Sequence, residues 1–148
     1  MDMNQAGRTA EALIREAIHG VTPGPTLESF GGGVKSCKEP SDGGSEERVT
    51  LTRNYWLKGI PRESAEGVVR KVFGNWKQAG HVVDAEPDYG RRVVAANLRS
   101  KPDDFLMQVA MGMGGQLSVG VTSPCFRDSE PVPSALGHPA PRTDAELQ

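Results

Sequence analysis

Between positions 81 and 122 the sequence breaks three times at clusters that favour turns, PDYG, RSKPDD and GMGG. The breaks separate four short runs of alternating character at 81–86, 91–98, 105–111 and 116–122. Connections this short cannot carry the crossover that parallel strands need, so the four runs are predicted to form an antiparallel meander. Side chains alternate across a strand, which puts Phe105, Met107, Val109 and Met111 on one face of the third run. Leu117, Val119 and Val121 likewise share one face of the fourth. Those apolar faces need a cover, and the chain before position 81 has to supply it.

Two amphipathic helices fit that need. In 65–79 the residues Ala65, Val68, Val69, Val72, Phe73, Trp76 and Ala79 fall at spacings of three and four, Pro61 is tolerated just ahead, and Gly80 ends the run. Gly67 and Gly74 each cost roughly 1 kcal/mol of helix propensity relative to Ala, so this helix depends on packing, with Trp76 and Phe73 as anchors. A shorter stripe, Ala6, Ala10, Leu13, Ile14, Ala17 and Ile18, predicts a helix over 6–19 that stops at Gly20. The segment GVTPGPTLESFGGG (20–33) has two prolines and five glycines and is predicted to be a loop leading to a strand at 34–38. EPSDGGSEE (39–47) reads as a polar turn. RVTLTRNYWLK (48–58) alternates: Val49, Leu51, Tyr55 and Leu57 share one face, interrupted by Arg53, and Thr50, Thr52, Asn54 and Trp56 take the other.

The expected fold is therefore α+β: an antiparallel sheet of about five or six strands with both helices on one face, in the order α-β-β-α-β-β-β-β. Trp56 and Leu106 fall opposite the core faces, so a partner surface or the N-terminal loop is expected to cover them. The 148 residues suit one domain, but with 36% hydrophobic residues, 18 glycines and 11 prolines not all of the chain can join a core. The domain is placed at 6–126. Residues 1–5 and the proline-rich segment 127–148 are expected to be disordered.

A net charge of −2 offers no whole-protein field for nucleic acid or an anionic membrane. No apolar run approaches the ~20 residues of a membrane-spanning helix. The start, MDMNQAGRTA, has neither a basic n-region nor an apolar h-region, so the chain is either cytosolic or its export signal lies outside this sequence.

Cys37 and Cys125 are the two cysteines, far apart and without a CxxC pair, which speaks against a zinc knuckle or a thioredoxin-like redox site. A disulfide between them is the leading reading, and two buried free thiols are the alternative. The bond would close a long loop, contribute roughly 4 kcal/mol on chain-entropy grounds and require an oxidising compartment. In SVGVTSPCF, Val119 and Val121 are expected to be buried, and Pro124, with no amide to donate, to end the ladder.

Other motifs fail on spacing. His19, His81 and His138 form no local constellation. Asp84, Glu86 and Asp88 alternate as in a calcium loop, but the glycine falls at position seven and Ala95 holds position twelve. Gly112, Gly114 and Gly115 suit a hairpin turn, FGGGV lacks the Lys of a phosphate loop, Ser118 and Ser123 sit in no nucleophile elbow, and Asp103 and Asp104 form a turn. Arg91, Arg92, Arg99 and Lys101 are a basic group that could gather at one end of the meander. No catalytic residue, metal or cofactor is expected.

The order and spacing of NYWLKGIP, VFGNWKQAGHVV and DDFLMQVAMGMGGQLSVGVTSPC resembles a group of small, uncharacterised lipoproteins of actinobacteria over about residues 6 to 126. The resemblance would align Cys37 and Cys125 with that group's paired cysteines, Trp76 and Gly80 with its helix end, Asp104 and Phe105 with its hairpin, and Pro124 with its strand end. The sequence departs from the group in having no lipobox cysteine before the first helix, which removal of a leader would explain. The resemblance implies export and an envelope location but no established activity. The resulting expectation is a non-enzymatic exported binding domain, anchored or free, for an envelope protein or small ligand, with Trp56, Leu106, Arg91 and Arg92 as its binding face. An intracellular accessory or immunity-type protein that binds a protein partner is the alternative.

Overall fold

Strand β3 (Arg48–Lys58) runs where the alternation predicts it and is paired along both edges. The computed structural model describes residues 1–37 and 48–128, so the polar turn at 39–47, Lys38, His138 and the segment 129–148 lie outside the described residues. On one edge β3 pairs antiparallel with β1 (Thr26–Ser29) and β2 (Gly33–Cys37), which share its length. On the other it pairs with β7 (Leu117–Thr122), and β7 opens the predicted meander through β6 (Leu106–Met111), β5 (Val94–Arg99) and β4 (Val82–Ala85). The result is one seven-stranded antiparallel sheet in the order β1-β3-β7-β6-β5-β4, with β2 beside β1 on β3. Helices α1 (Met3–Ile18) and α2 (Ala65–Gln78) complete an α+β fold.

Two elements differ from expectation. Strand β1 lies inside the segment read as a loop, because Pro23, Pro25 and the glycines bracket four residues that are free to pair, and Leu27 is buried opposite Leu57. Gly32 then lets the chain turn back against β3: its φ is +79°, and a Cβ there would lie 2.7 Å from the Thr52 carbonyl oxygen. Helix α1 begins at Met3 instead of position 6, because Asp2 and Gln5 form a reciprocal capping box that hydrophobic spacing cannot reveal.

The helices cover one face of the sheet. Leu51, Tyr55 and Leu57 of β3, Met107 and Val109 of β6, and Leu117, Val119 and Val121 of β7 form one buried cluster with Leu13 and Ile14 of α1 and Val69, Val72 and Trp76 of α2. Trp76 is fully buried and Phe73 packs at the margin. Polar contacts fix the helices to each other: Trp76 Nε1 donates to the Leu13 carbonyl at 3.0 Å, and Asn75 Nδ2 donates to the carbonyls of Ala17 (3.0 Å) and His19 (2.8 Å). Asn75 thereby satisfies carbonyls that the end of α1 leaves without helical partners.

Cys37 and Cys125 are joined in a disulfide across 88 residues of sequence. Both flank the start of β3: Cys37 pairs with Arg48, and Phe126 exchanges two backbone hydrogen bonds with Val49 at 2.8 and 2.9 Å. Pro124 therefore interrupts the ladder without ending it. Ser123 bridges the interruption: its N–H donates to the Leu51 carbonyl at 2.8 Å and its hydroxyl accepts from the Leu51 N–H at 2.9 Å.

Two stability measurements follow from these contacts. The Cys37→Ala/Cys125→Ala variant should lose about 4 kcal/mol in denaturant unfolding relative to the oxidised chain, and a loss under about 1 kcal/mol would contradict the constraint. Asn75→Ala should cost about 1–2 kcal/mol by stripping two carbonyls of their donor, read as a melting temperature lower by about 3–6 °C.

Candidate functional site

Because successive residues alternate across a strand, burial of one sheet face leaves a second set of side chains in register on the other. Three rungs cross this second face. The first runs Glu28, Trp56, Ser118, Ala110 and Ala95; the second runs Asn54, Gly120, Gln108 and Asn97; the third runs Thr52, Thr122, Leu106 and Arg99. The helices pack on the other side.

A depression of about 270 Å³ lies over the second and third rungs, lined by Asn54, Gly120, Gln108 and Asn97 with Thr122, Leu106 and Asp84. Gly120 lets the Asn54 side chain lie across the floor of the depression, since a Cβ at position 120 would lie 2.5 Å from Asn54 Oδ1. Its polar groups are ordered by one another. Gln108 Nε2 donates to Asn97 Oδ1 at 3.1 Å, and the Thr52 and Thr122 hydroxyls are 3.0 Å apart. At the rim Arg99 Nε contacts both oxygens of Asp84 (3.1 and 2.9 Å) and Arg99 Nη1 reaches Asp104 at 3.3 Å. The Asp84 carboxylate, through that hydrogen bond and its charge, raises the Arg99 pKa further. Asp84 carries the one formal charge among the lining residues, and Arg99 compensates it.

Trp56 and Leu106 do share this face, two rungs apart, with the amide row between them. Leu106 is 56% exposed. Trp56 is half-buried because Phe30 stacks on it with ring centroids 4.1 Å apart at 18°, so the end of the N-terminal loop covers part of the face, as expected. The basic group does not gather. Arg91 and Arg92 precede the six-residue strand β5, whereas Arg99 and Lys101 sit at its far end, about 20 Å away. Arg91 contacts Asp88 at 3.6 Å in solvent, a weak interaction. Their turn is held instead by Tyr89, whose ring lies under the Arg70 guanidinium at 3.9 Å; burial raises the phenol pKa above its usual value.

The remaining candidates have structural duties. Cys37 and Cys125 are consumed in the disulfide. His81 is fixed at both nitrogens, Nδ1 accepting from the Lys101 N–H at 3.1 Å and Nε2 lying 2.7 Å from Glu16 Oε1, which joins α1, the start of β4 and the β5–β6 turn. His19 caps α1. Asp88 accepts from the Gly90 N–H, and no group of three or more His, Cys, Asp or Glu side chains among the described residues could hold a metal. Gly112 and Gly115 form the β6–β7 turn. A wider, open depression of about 480 Å³ beside α1, lined by Gln5, Arg8, Thr9 and Asp103, has no comparable row of mutually bonded groups.

Asn54, Asn97, Gln108 and Gly120 were not singled out from sequence. The signal was present, since Asn54 shares parity with Trp56 and Gln108 with Leu106. What sequence alone could not supply was the pairing of β3 with β7, which brings Asn54 beside the row that the meander forms from Gly120, Gln108 and Asn97.

Comparison with known proteins found no matching family model, no matching curated protein and no matching solved structure.

Proposed function

We propose that this chain is a non-catalytic binding domain that works in an oxidising compartment outside the cytoplasm, at the cell envelope or secreted, and holds its ligand or partner on the uncovered sheet face. The observation that carries the reading is the Cys37–Cys125 bond, since structural disulfides persist where thiols are not kept reduced. The resemblance to small envelope lipoproteins points the same way, and in this reading the chain is the folded part of such a protein. Support for a binding role comes from the sheet: one face is filled by helices, while the other presents a mutually bonded polar row with a half-buried indole and an exposed leucine at its margins. Support for a non-catalytic role comes from the occupation of the reactive groups. His81 is hydrogen-bonded at both ring nitrogens, and the Ser123 hydroxyl is spent on Leu51 and the Pro124 carbonyl.

Two experiments test the two halves of this reading. Protein isolated from its own cells without reductant should resist alkylation and weigh two hydrogens less than the reduced chain; two alkylatable cysteines would assign it to a reducing compartment. A photo-crosslinking residue placed at Leu106 should form adducts in the native cell, whereas the same residue at exposed Glu66 on α2 should not. Equal yields at the two positions, or none at 106, would remove the sheet face as the binding surface.

A further inference from the structure

Gly120 sits in the middle of a strand paired on both sides, where glycine is unfavourable because it adds conformational entropy to the unfolded chain and packs nothing. Two of the usual reasons for a strand glycine do not apply. Its register with β3 and β6 is continuous, so it marks no bulge, and its φ is not in the left-handed region. Its structural effect is to seat the Asn54 side chain, whose Oδ1 lies 2.5 Å from where a Cβ would stand, so that this amide lies over the strand at the edge of the depression, with Gln108 on the other side.

We propose that the depression bordered by these amides is a binding site for a neutral, polyhydroxylated ligand, a glycan segment with vicinal hydroxyls, an assignment that rests on the binding-domain reading above. The lining decides the chemistry. Three planar amides, Asn54, Gln108 and Asn97, each present a carbonyl oxygen and an NH2 group, a donor and an acceptor spaced to meet adjacent sugar hydroxyls. Mutual bonds preset the Gln108 and Asn97 amides, which reduces the ordering that binding would require. Among the described lining residues none is cationic, and Arg99 at the rim is already held by Asp84 and Asp104, so neither a phosphate or carboxylate nor a free cation finds an uncompensated charge there.

The backbone of the floor points the same way. Strands β7, β6 and β5 are paired on both edges, so an extended peptide could not add to the sheet here and recognition falls to side chains. Beside the amide row the first rung carries small residues, Ser118, Ala110 and Ala95, next to the Trp56 indole. That gives a low shelf bordered by an aromatic ring, onto which a second sugar unit can extend, and Leu106 offers an apolar edge to the C–H face of a pyranose.

The test is a titration of the oxidised, 15N-labelled full chain with chitotriose, maltotriose and mannotriose. At least one should shift the side-chain amide signals of Asn54, Asn97 and Gln108 saturably, with a dissociation constant of about 1 mM or below. Asn54→Ala should weaken that binding about fivefold or more. Gly120→Ala should do the same while leaving the core spectrum unchanged, because the new methyl group meets the end of the Asn54 side chain and no backbone atom closer than 3.9 Å. Absence of saturable shifts at these amides with all three sugars, or binding undiminished in both variants, would overturn the proposal, as would inorganic phosphate shifting the same amides more strongly than any sugar. Failure here with crosslinked adducts retained at position 106 removes the glycan and keeps the binding face; loss of both removes the face itself.

Discussion

Strand β3 presents backbone donors and acceptors along both edges for eleven residues, and none of its partners is long enough to satisfy either edge alone. Unpaired peptide groups next to a packed core are costly, so the chain returns to β3 several times. Four residues of β1 and five of β2 divide one edge between them, and six of β7 with the isolated pair at Phe126 take the other. The short partners explain the position of the disulfide. At the Arg48 end the ladder rests on the last residue of β2 on one side and on a pairing that skips Pro124 on the other. A covalent bond between Cys37 and Cys125 joins those two weak attachments to each other, where each alone would fray.

The same centrality divides the two faces. The residues of β3 that point toward the helices sit at the middle of the core, and Trp76, Leu13 and Asn75 then fix α2 against α1 by hydrogen bonds as well as packing. No second layer of helices exists among the described residues to cover the opposite face. Its side chains meet their own hydrogen-bonding needs by pairing laterally, Thr52 with Thr122 and Gln108 with Asn97, with Arg99 clamped between two aspartates. A face of this kind can remain in water at little cost, because its polar groups are either bonded or hydrated and its larger apolar side chains form no single patch: Arg99 separates Leu106 from Val82, and Phe30 shields Trp56.

Much of this was legible in the sequence, and what was missed has identifiable causes. Alternation located β3 to the residue, and apolar spacing located α2, because each buries a face whose period is set by its own geometry. Strand β1 was hidden because only Leu27 of its four residues is buried, and the surrounding prolines and glycines outweigh one leucine. The first turn of α1 was hidden because a capping box is a hydrogen-bond pattern and leaves no hydrophobic trace. Count and separation made a bond between the two cysteines the leading reading over two buried free thiols, and the structure joins them. The uncovered face could be inferred only in part: parity separates Trp56 and Leu106 from the core, but the order in which strands neighbour one another is a long-range property. For the same reason Arg91 and Arg99, close in sequence, had seemed able to act together, although a strand between them keeps them apart.

At Gly120 the demands of the sheet and of its uncovered face meet. Val119 and Val121 on either side are buried and favour a strand, so the local sequence could tolerate a β-branched residue at 120 without disturbing the core face. Such a residue would fill the depression and displace the Asn54 amide, yet it would reinforce the strand that β3 relies on. Strand propensity and the seat of the Asn54 amide therefore make opposite demands at one position, and the glycine is the choice that gives up propensity. The close approach of Asn54 accounts for that glycine: it lets the one amide that β3 contributes lie across β7, next to Gln108 of β6, at the cost of strand propensity.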